Sequence, residues 1–543
     1  MPLEGHLARY LTSSLLGYYL HAHANAKQTP SSTSDRIERI RYQSRFNVDA
    51  LMQSCIDKGR YDGYTFAQKR DPCMSMFRKV MCLFTPVPNA LAGQGDGHSV
   101  SVTISANTTG FPLETSSSGH KPGNVLVART DECHMKALDA ETLEPIGMAH
   151  QRSLHPLLKG QLSASHAKSD PQTGDVFNYN LDLIGRYPAY RVFKTSAATG
   201  ETSILATISA PEVKAAYMHS FFLSANFVVL AIWSAHLKAG GISVLWEKNI
   251  MDAIAPFADD QTVKWFVIDR RHGQGVVACF ESAAAFSFHS INAFEEPAGT
   301  AGGLQEEEDS GTRIDILCDC IEYENFNVVH KFYYENMRSS APSTSTVKGS
   351  FDKQSRFGQH FARYRLGYIP SSSTLSKLPP LSTGELESAR QLPAYRQAQK
   401  VLQLRAAGAI GDIPTLNPSR LTKEHRYFWN CTFDSAKSSF MEGLCKVDIV
   451  ESQRLGKPVG VKWKNPPGHT PGEGIFVADP DGTEEDDGVL LTIVLDGFNE
   501  TSYLLCLDAR TMEKLGRADC AGPLAFQFHG QHVNSKGDRP IDV

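Results

Sequence analysis

No stretch of this 543-residue chain reaches the roughly 18 apolar residues of a membrane-spanning helix, so none is expected. No C-x-x-C pair occurs. The 11 cysteines are odd in number and scattered from Cys55 to Cys520, which argues against a disulfide framework and for reduced thiols in a cytoplasmic compartment. No basic stripe or RNA-binding signature is present. With 54 Lys and Arg against 59 Asp and Glu the net charge is -5, and nucleic acid is not an expected partner. The opening "MPLEGHLARYLTSSLLGYYLHAHANAK" lacks the charged, apolar and small-residue order of a secretory signal. There is no G-x-S-x-G elbow for a serine hydrolase, and "RRHGQG" has too few glycines to cradle a phosphate. "HAHAN" (21–25) reads as an incidental histidine pair.

What is present is a globular composition, 41% hydrophobic and 21% charged, with ample material for a core. Short apolar or alternating runs recur between turn residues: "HSVSVTISA", "GNVLVART", "TSILATIS", "FFLSANFVVLAIW", "GISVLWEKN", "VKWFVIDRR", "GVVACFES", "RIDILCDCI", "GIFVADP", "GVLLTIVLDG" and "SYLLCLDART". Their length and their β-branched and aromatic content predict strands, joined by Gly, Asp, Asn and Pro turns. So many even strands predict an all-β fold, closed or radially repeated, with a propeller favoured over a sandwich. Helical patterning is confined to residues 1–20 and to "SARQLPAYRQAQKVLQLRAAGAI" (388–410), interrupted by Pro393. Residues 299–312 and 338–356 are too polar to support a core and read as surface loops.

Four of the 19 histidines join apolar or turn-bounded strand ends: His166, His219, His289 and His529. Their gaps of 53, 70 and 240 residues (219 − 166, 289 − 219, 529 − 289) are far too wide for a zinc finger or one metal-binding helix. A buried histidine is usually a satisfied core residue. Ligands so dispersed converge only where the chain circles a common axis, as propeller blades do.

The residues around these histidines carry a resemblance. "SHAKSDPQTGDVF" is similar to A-H-P-K-x-D-P-x-T-G-E-x-F, "MHSFFLSANFVV" to I-H-D-F-x-x-T-x-N-Y-x-V, "FHSINAFEE" to F-H-x-x-N-A-Y-E-E, and "PLAFQFHG" to a terminal P-x-G-F-H-G. All four stand in the order found in the carotenoid cleavage oxygenases, which include retinoid isomerohydrolases and stilbene-cleaving enzymes. Further matches at 70–77, 139–147, 412–429 and 473–496 extend the resemblance from about residue 36 to the end. It implies a seven-bladed β-propeller, with a few short helices and loops capping the iron face. One Fe(2+) per chain would sit on its axis, held by His166, His219, His289 and His529 as the catalytic centre. Neutral imidazole suits divalent iron, and four nitrogens leave coordination positions for dioxygen. Carboxylates are then expected to accept the second ring N–H of the ligands. The matching positions are Asp131, Asp412 and Glu473, with Glu132 as a fallback for Asp131. Two of the three are aspartate where the family has glutamate, so contact would need a backbone shift or a bridging water.

Residues 35–543 are expected to form a single propeller oxygenase domain, with polar insertions near 299–312, 338–356 and 380–410. Residues 1–34 depart from the family: neither its G-P-N-P nor its H-W-F-D-G-like strand pair is found, so the first or last blade is expected to be incomplete. The implied reaction is scission of a carbon–carbon double bond by O2 into two carbonyl products. Thr130 stands where stilbene-cleaving relatives carry a substrate-contacting lysine, so an apolar carotenoid or apocarotenoid is the expected substrate. Fungal torulene- and carotene-cleaving enzymes resemble the chain in its "DIPTLNP" and "HRYFW" segments. The alternatives left open are a non-oxidative isomerohydrolase, stilbene or phenylpropenoid cleavage, and a propeller scaffold without catalysis. Met74, Phe77, Met81 and Phe84, at helical spacing within residues 74–87 and beside Arg78 and Lys79, suggest peripheral membrane contact.

Overall fold

The computed structural model describes residues 48–58, 97–106, 125–299, 312–333, 358–405, 408–432, 441–520 and 528–533. It also describes short pieces at 23–24, 40–41, 44–45, 65–67, 108–111 and 522–524. The expected helix over 1–20, the polar runs inside 299–312 and 338–356, and the membrane patch over 74–87 lie outside the described residues.

Six sheets of four or five strands follow one another along the chain as blades, each built mainly of antiparallel neighbours. Blade one is Thr103–Ala106, Val125–Arg129, His134–Asp139 and Pro145–His150. Blade two runs from Leu162–Ser163 and Lys168–Ser169, both paired with Val176–Asp182, out through Ala189–Thr195 to Thr202–Ile208. Blade three is Phe222–Leu223, Phe227–Ile232, Thr262–Asp269 and Val276–Ala283. Blade four is Ser290–Pro297, Arg313–Glu322, His360–Pro370 and Gln399–Leu404. Blade five is Asp412–Thr415, Tyr427–Thr432, Gly443–Asp448 and Val459–Lys464. Blade six places His469–Pro471 and Ile475–Ala478 side by side on Gly488–Asp496, followed by Thr501–Asp508 and Lys514–Asp519.

The all-β propeller is as the sequence implied, but the count differs: the described residues hold six blades, not seven. Before Thr103 their only strands are the two-residue pair His23–Ala24 with Ile40–Arg41, followed by the helix Asp49–Lys58, in the region where the family's opening strand pair was not matched. The C-terminal segment reaches back to blade one, where the Ala106 N–H donates to Gln531 Oε1 at 2.7 Å.

Two local expectations are overturned. "GISVLWEKN" folds as the helix Ile242–Glu247, not a strand. It starts after Gly241 at φ 101° and stops at Lys248 at φ 53°, so left-handed residues at both ends break an extended run. The segment 388–410 is not a helix. Tyr395–Gln397 adds in parallel to Cys279–Glu281 of blade three, and Gln399–Leu404 pairs antiparallel with Phe361–Arg365 of blade four. Two open sheet edges offer it a row of unpaired backbone groups, and that outweighs weak helix propensity.

The core lies between blades. Trp265 of blade three stacks on Phe222 at 5.9 Å and meets Trp233 at 5.5 Å and Tyr364 of blade four at 4.7 Å. All four rings are buried. Inner strands such as Val176–Asp182 and Phe227–Ile232 are buried throughout, which is why their runs read as nearly continuous apolar stretches, whereas outermost strands such as Val459–Lys464 and Lys514–Asp519 are largely exposed. The described cysteines are free thiols.

Candidate metal centre

Each of the four histidines stands at or near the start of a blade's first strand, or on the segment that closes the ring. His166 occupies the turn between Leu162–Ser163 and Lys168–Ser169, and His219 precedes Phe222–Leu223. His289 immediately precedes Ser290–Pro297, and His529 follows the last strand of blade six. The blade-four ladder slips by one residue between Ser290 and Asn292, and the blade-five ladder is irregular between Asp412 and Thr415. Such irregularities re-aim side chains out of the regular pleat.

The fold brings the four imidazoles together. One ligand atom from each lies within 4.8 Å of all the others. His166 Nε2 is 3.1 Å from His529 Nε2, and His289 Nε2 is 3.3 Å from the same atom. The rings of His166 and His219, and of His219 and His289, stand edge to face at 4.8 and 5.0 Å.

The three acids lie behind the rings. His219 Nδ1 is 2.8 Å from Asp131 Oδ1, and His289 Nδ1 is 2.8 Å from Asp412 Oδ1. His529 Nδ1 is 3.3 Å from Glu473 Oε1, whose other oxygen accepts the Gly530 N–H at 2.8 Å. The shorter aspartates thus touch their imidazoles directly, with no bridging water needed. Glu132, the fallback, turns away toward His98 and His134.

Further polar groups hold the acids. The Tyr217 hydroxyl donates to Asp131 Oδ2 at 2.9 Å and the Ser165 hydroxyl to Oδ1 at 2.5 Å. The Tyr323 hydroxyl donates to Asp412 Oδ2 at 2.5 Å. Sequence reading missed both tyrosines. Tyr217 had a signal, because it lies two residues before His219, the spacing that puts extended residues on one side. Tyr323 is 34 residues from His289 in sequence and reaches the site only through strand pairing across blade four, by the Phe286–Tyr323 bridge. Asp412 also depends on Gly411, where a Cβ would lie 1.7 Å from the Cys431 carbonyl oxygen; only glycine allows that approach.

This donor set suits a metal cation. A carboxylate at Nδ1 keeps the proton there, so each Nε2 of His219, His289 and His529 presents a lone pair to the centre. The facing lone pairs of His289 and His529 repel unless a cation lies between them. Protonation is a poor substitute. Burial and the neighbouring imidazoles push His166 well below the usual histidine range, and burial outweighs Asp412 to hold His289 down at about 4.

An aromatic wall adjoins the centre. The Phe288 ring is 5.8 Å from His219 and 5.7 Å from Phe332. Phe332 in turn lies 5.5 Å from Phe66 and 6.2 Å from Phe528. Among the described residues no helix is long and apolar enough to cross a membrane.

Comparison with known proteins gives a consistent answer. The family model of the retinal pigment epithelial membrane protein matches residues 32–534. A carotenoid dioxygenase of Neurospora crassa is 37% identical over 516 residues, covering 91% of this chain and 79% of the relative. A torulene dioxygenase of Fusarium fujikuroi is 37% identical over 512 residues, covering 92% and 82%. Among solved structures, cobalt-substituted Synechocystis ACO superposes with a TM-score of 0.59 at 17% identity, over 90% of this chain and 84% of that one. With a family model across nearly its whole length and fungal dioxygenases matching over nine-tenths of it, the chain belongs to the carotenoid cleavage oxygenase family.

Proposed function

We propose that this protein is a non-haem Fe(II)-dependent dioxygenase that cleaves a carbon–carbon double bond of a carotenoid or apocarotenoid with O2, giving two carbonyl products. The observation that carries this reading is the convergence of His166, His219, His289 and His529, with one ring nitrogen of each turned to a common centre. These four residues would hold the iron, and ferrous iron there supplies the redox chemistry with dioxygen that no side chain provides.

The chain's own groups orient and insulate. Asp131, Asp412 and Glu473 fix the imidazole tautomers, and Tyr217 and Tyr323 fix the first two acids in turn. Four neutral ligands leave a divalent ion uncompensated in the ligand sphere. Three carboxylates one bond further out offset that charge without occupying its coordination positions. Phe66, Phe288, Phe332 and Phe528 offer an apolar surface that excludes water and suits a polyene. Thr130 offers no cation to a phenol, which favours an apolar substrate over a hydroxystilbene. The fungal relatives named for carotenoid and torulene cleavage point the same way.

The test is to assay purified, Fe(II)-loaded protein under 18O2 against carotenoids, apocarotenals and stilbenes, with products identified by mass spectrometry. Cleavage of a polyene with 18O in the carbonyl products is expected. Intact polyenes beside cleaved stilbenes, or no cleavage by protein shown to hold iron, would overturn the reading.

A further inference from the structure

Blade one carries a second convergence of metal-ligating atoms, separate from the axial centre. Asp131 and Glu132 are neighbours in the turn between Val125–Arg129 and His134–Asp139, and their side chains go to different places. Asp131 meets His219, whereas Glu132 meets His98 and His134. Glu132 Oε2 is 3.2 Å from His98 Nε2 and 3.5 Å from His134 Nδ1. All three ligand atoms lie within 4.8 Å of one another.

The first separation is that of a long hydrogen bond, and the second lies beyond one. Ligand atoms about 2.0–2.1 Å from one tetrahedral zinc ion stand roughly 3.3–3.4 Å apart, and the observed 3.2 and 3.5 Å fall just either side of that spacing. A charge-assisted N–H···O bond is shorter, about 2.7–2.9 Å. His134 Nδ1 is moreover buried with no hydrogen-bond partner among the described residues. Such a nitrogen is costly to bury unless something satisfies it.

We propose that His98, Glu132 and His134 form a second metal site, for a borderline-soft divalent ion of the zinc type, with water completing its coordination. Two imidazoles and one carboxylate are a donor set that zinc accepts. Glu132 is available as the anion. His150, with its ring 5.0 Å from that of His134, is not a third imidazole ligand through Nδ1, since that atom accepts the Arg152 N–H at 3.0 Å.

The site would act as a staple. His98 lies on the segment entering Thr103–Ala106, and its carbonyl already accepts from the buried Lys136 ammonium at 2.7 Å. An ion bridging His98 to Glu132 and His134 ties that segment to the turn that carries Asp131. The second ion thereby braces a residue that orients His219, without touching the axial centre.

The test measures zinc per chain after equilibration with Zn2+ and gel filtration in metal-free buffer. One arm uses His219→Ala/His289→Ala protein, so that only two axial imidazoles remain and the outcome does not depend on the iron reading. It is expected to retain one zinc, lost when His98→Gln and His134→Asn are added. In a second arm, iron-loaded wild type is expected to take up one zinc while keeping its iron. The His98→Gln/His134→Asn protein should keep iron, melt cooperatively and take up no zinc. His134→Asn alone should weaken zinc binding at least about tenfold. Zinc-edge X-ray absorption should report two imidazoles rather than four. No zinc retained in either arm, or retention unchanged by the paired substitutions, would overturn the proposal.

Discussion

Replacing Asp131 by asparagine removes one charge and one acceptor while keeping the side chain's shape. Three donors point at the carboxylate: His219 Nδ1 at 2.8 Å, the Tyr217 hydroxyl at 2.9 Å and the Ser165 hydroxyl at 2.5 Å. An amide has one acceptor oxygen, and its NH2 donates. The NH2 must therefore take the place of one oxygen, facing either the Tyr217 hydroxyl, which can turn to accept, or His219 Nδ1, in a site where Asp131 itself is only 5% exposed. If the lost partner is His219, the imidazole loses the group that holds its proton on Nδ1 and its lone pair toward the centre. Substitutions at such supporting carboxylates typically cost about 10–100-fold in metal affinity, or roughly 1.4–2.7 kcal/mol. Glu473→Gln should cost less, because its contact to His529 is longer at 3.3 Å and its other oxygen serves only the Gly530 N–H. The assay is iron affinity by chelator competition, with a thermal melt to show that each variant is folded. Wild-type affinity in folded Asp131→Asn, or a larger loss in Glu473→Gln, would refute the reasoning.

Other consequences follow from particular contacts. Gly411→Ala forces a Cβ to 1.7 Å from the Cys431 carbonyl oxygen, so blade five must shift under Asp412. A stability loss of at least about 2–3 kcal/mol is expected in a denaturant titration, accompanied by weaker iron binding. Phe332→Ala opens the aromatic wall two rings away from the four histidines; kcat/KM for a polyene should fall about tenfold or more with iron content unchanged. His236 and His425 are buried and held at about 4, His236 by burial with Lys214 adding to it, His425 by burial against the pull of Asp319. Between 6.5 and about 4 each binds its proton only when the chain unfolds. Their contribution is complete above pH 6.5 and is lost as pH falls, at up to ~1.4 kcal/mol per pH unit for each group. The melting temperature should drop across that window, and His425→Asn or His236→Asn should flatten the decline.

The strands were legible because a propeller strand is sandwiched between blades and its apolar run survives in sequence. "VKWFVIDRR" and "RIDILCDCI" became Thr262–Asp269 and Arg313–Glu322. "GISVLWEKN" misled because its alternation is equally compatible with a short helix, and the left-handed conformations of Gly241 and Lys248 leave no pattern in composition. The 395–404 segment misled for a different reason. Its strand character comes from the edges of blades three and four, formed by residues more than 30 positions away. The six-blade count, too, came from pairing rather than from any repeat in the sequence.

The sequence by itself determined which residues have the chemistry. Four histidines at strand ends and acids at 131, 412 and 473, set in ordered motifs, are properties of the chain that need no folding to be read. Only the tertiary structure decided what those residues face. It put Tyr217 and Tyr323 on the aspartates, sent Glu132 away from its neighbour Asp131, and gave it His98 and His134 instead. The physical reason is distance along the chain. Motifs record local backbone, but the four-histidine cluster is assembled from positions up to 363 residues apart, and only blade packing brings those together.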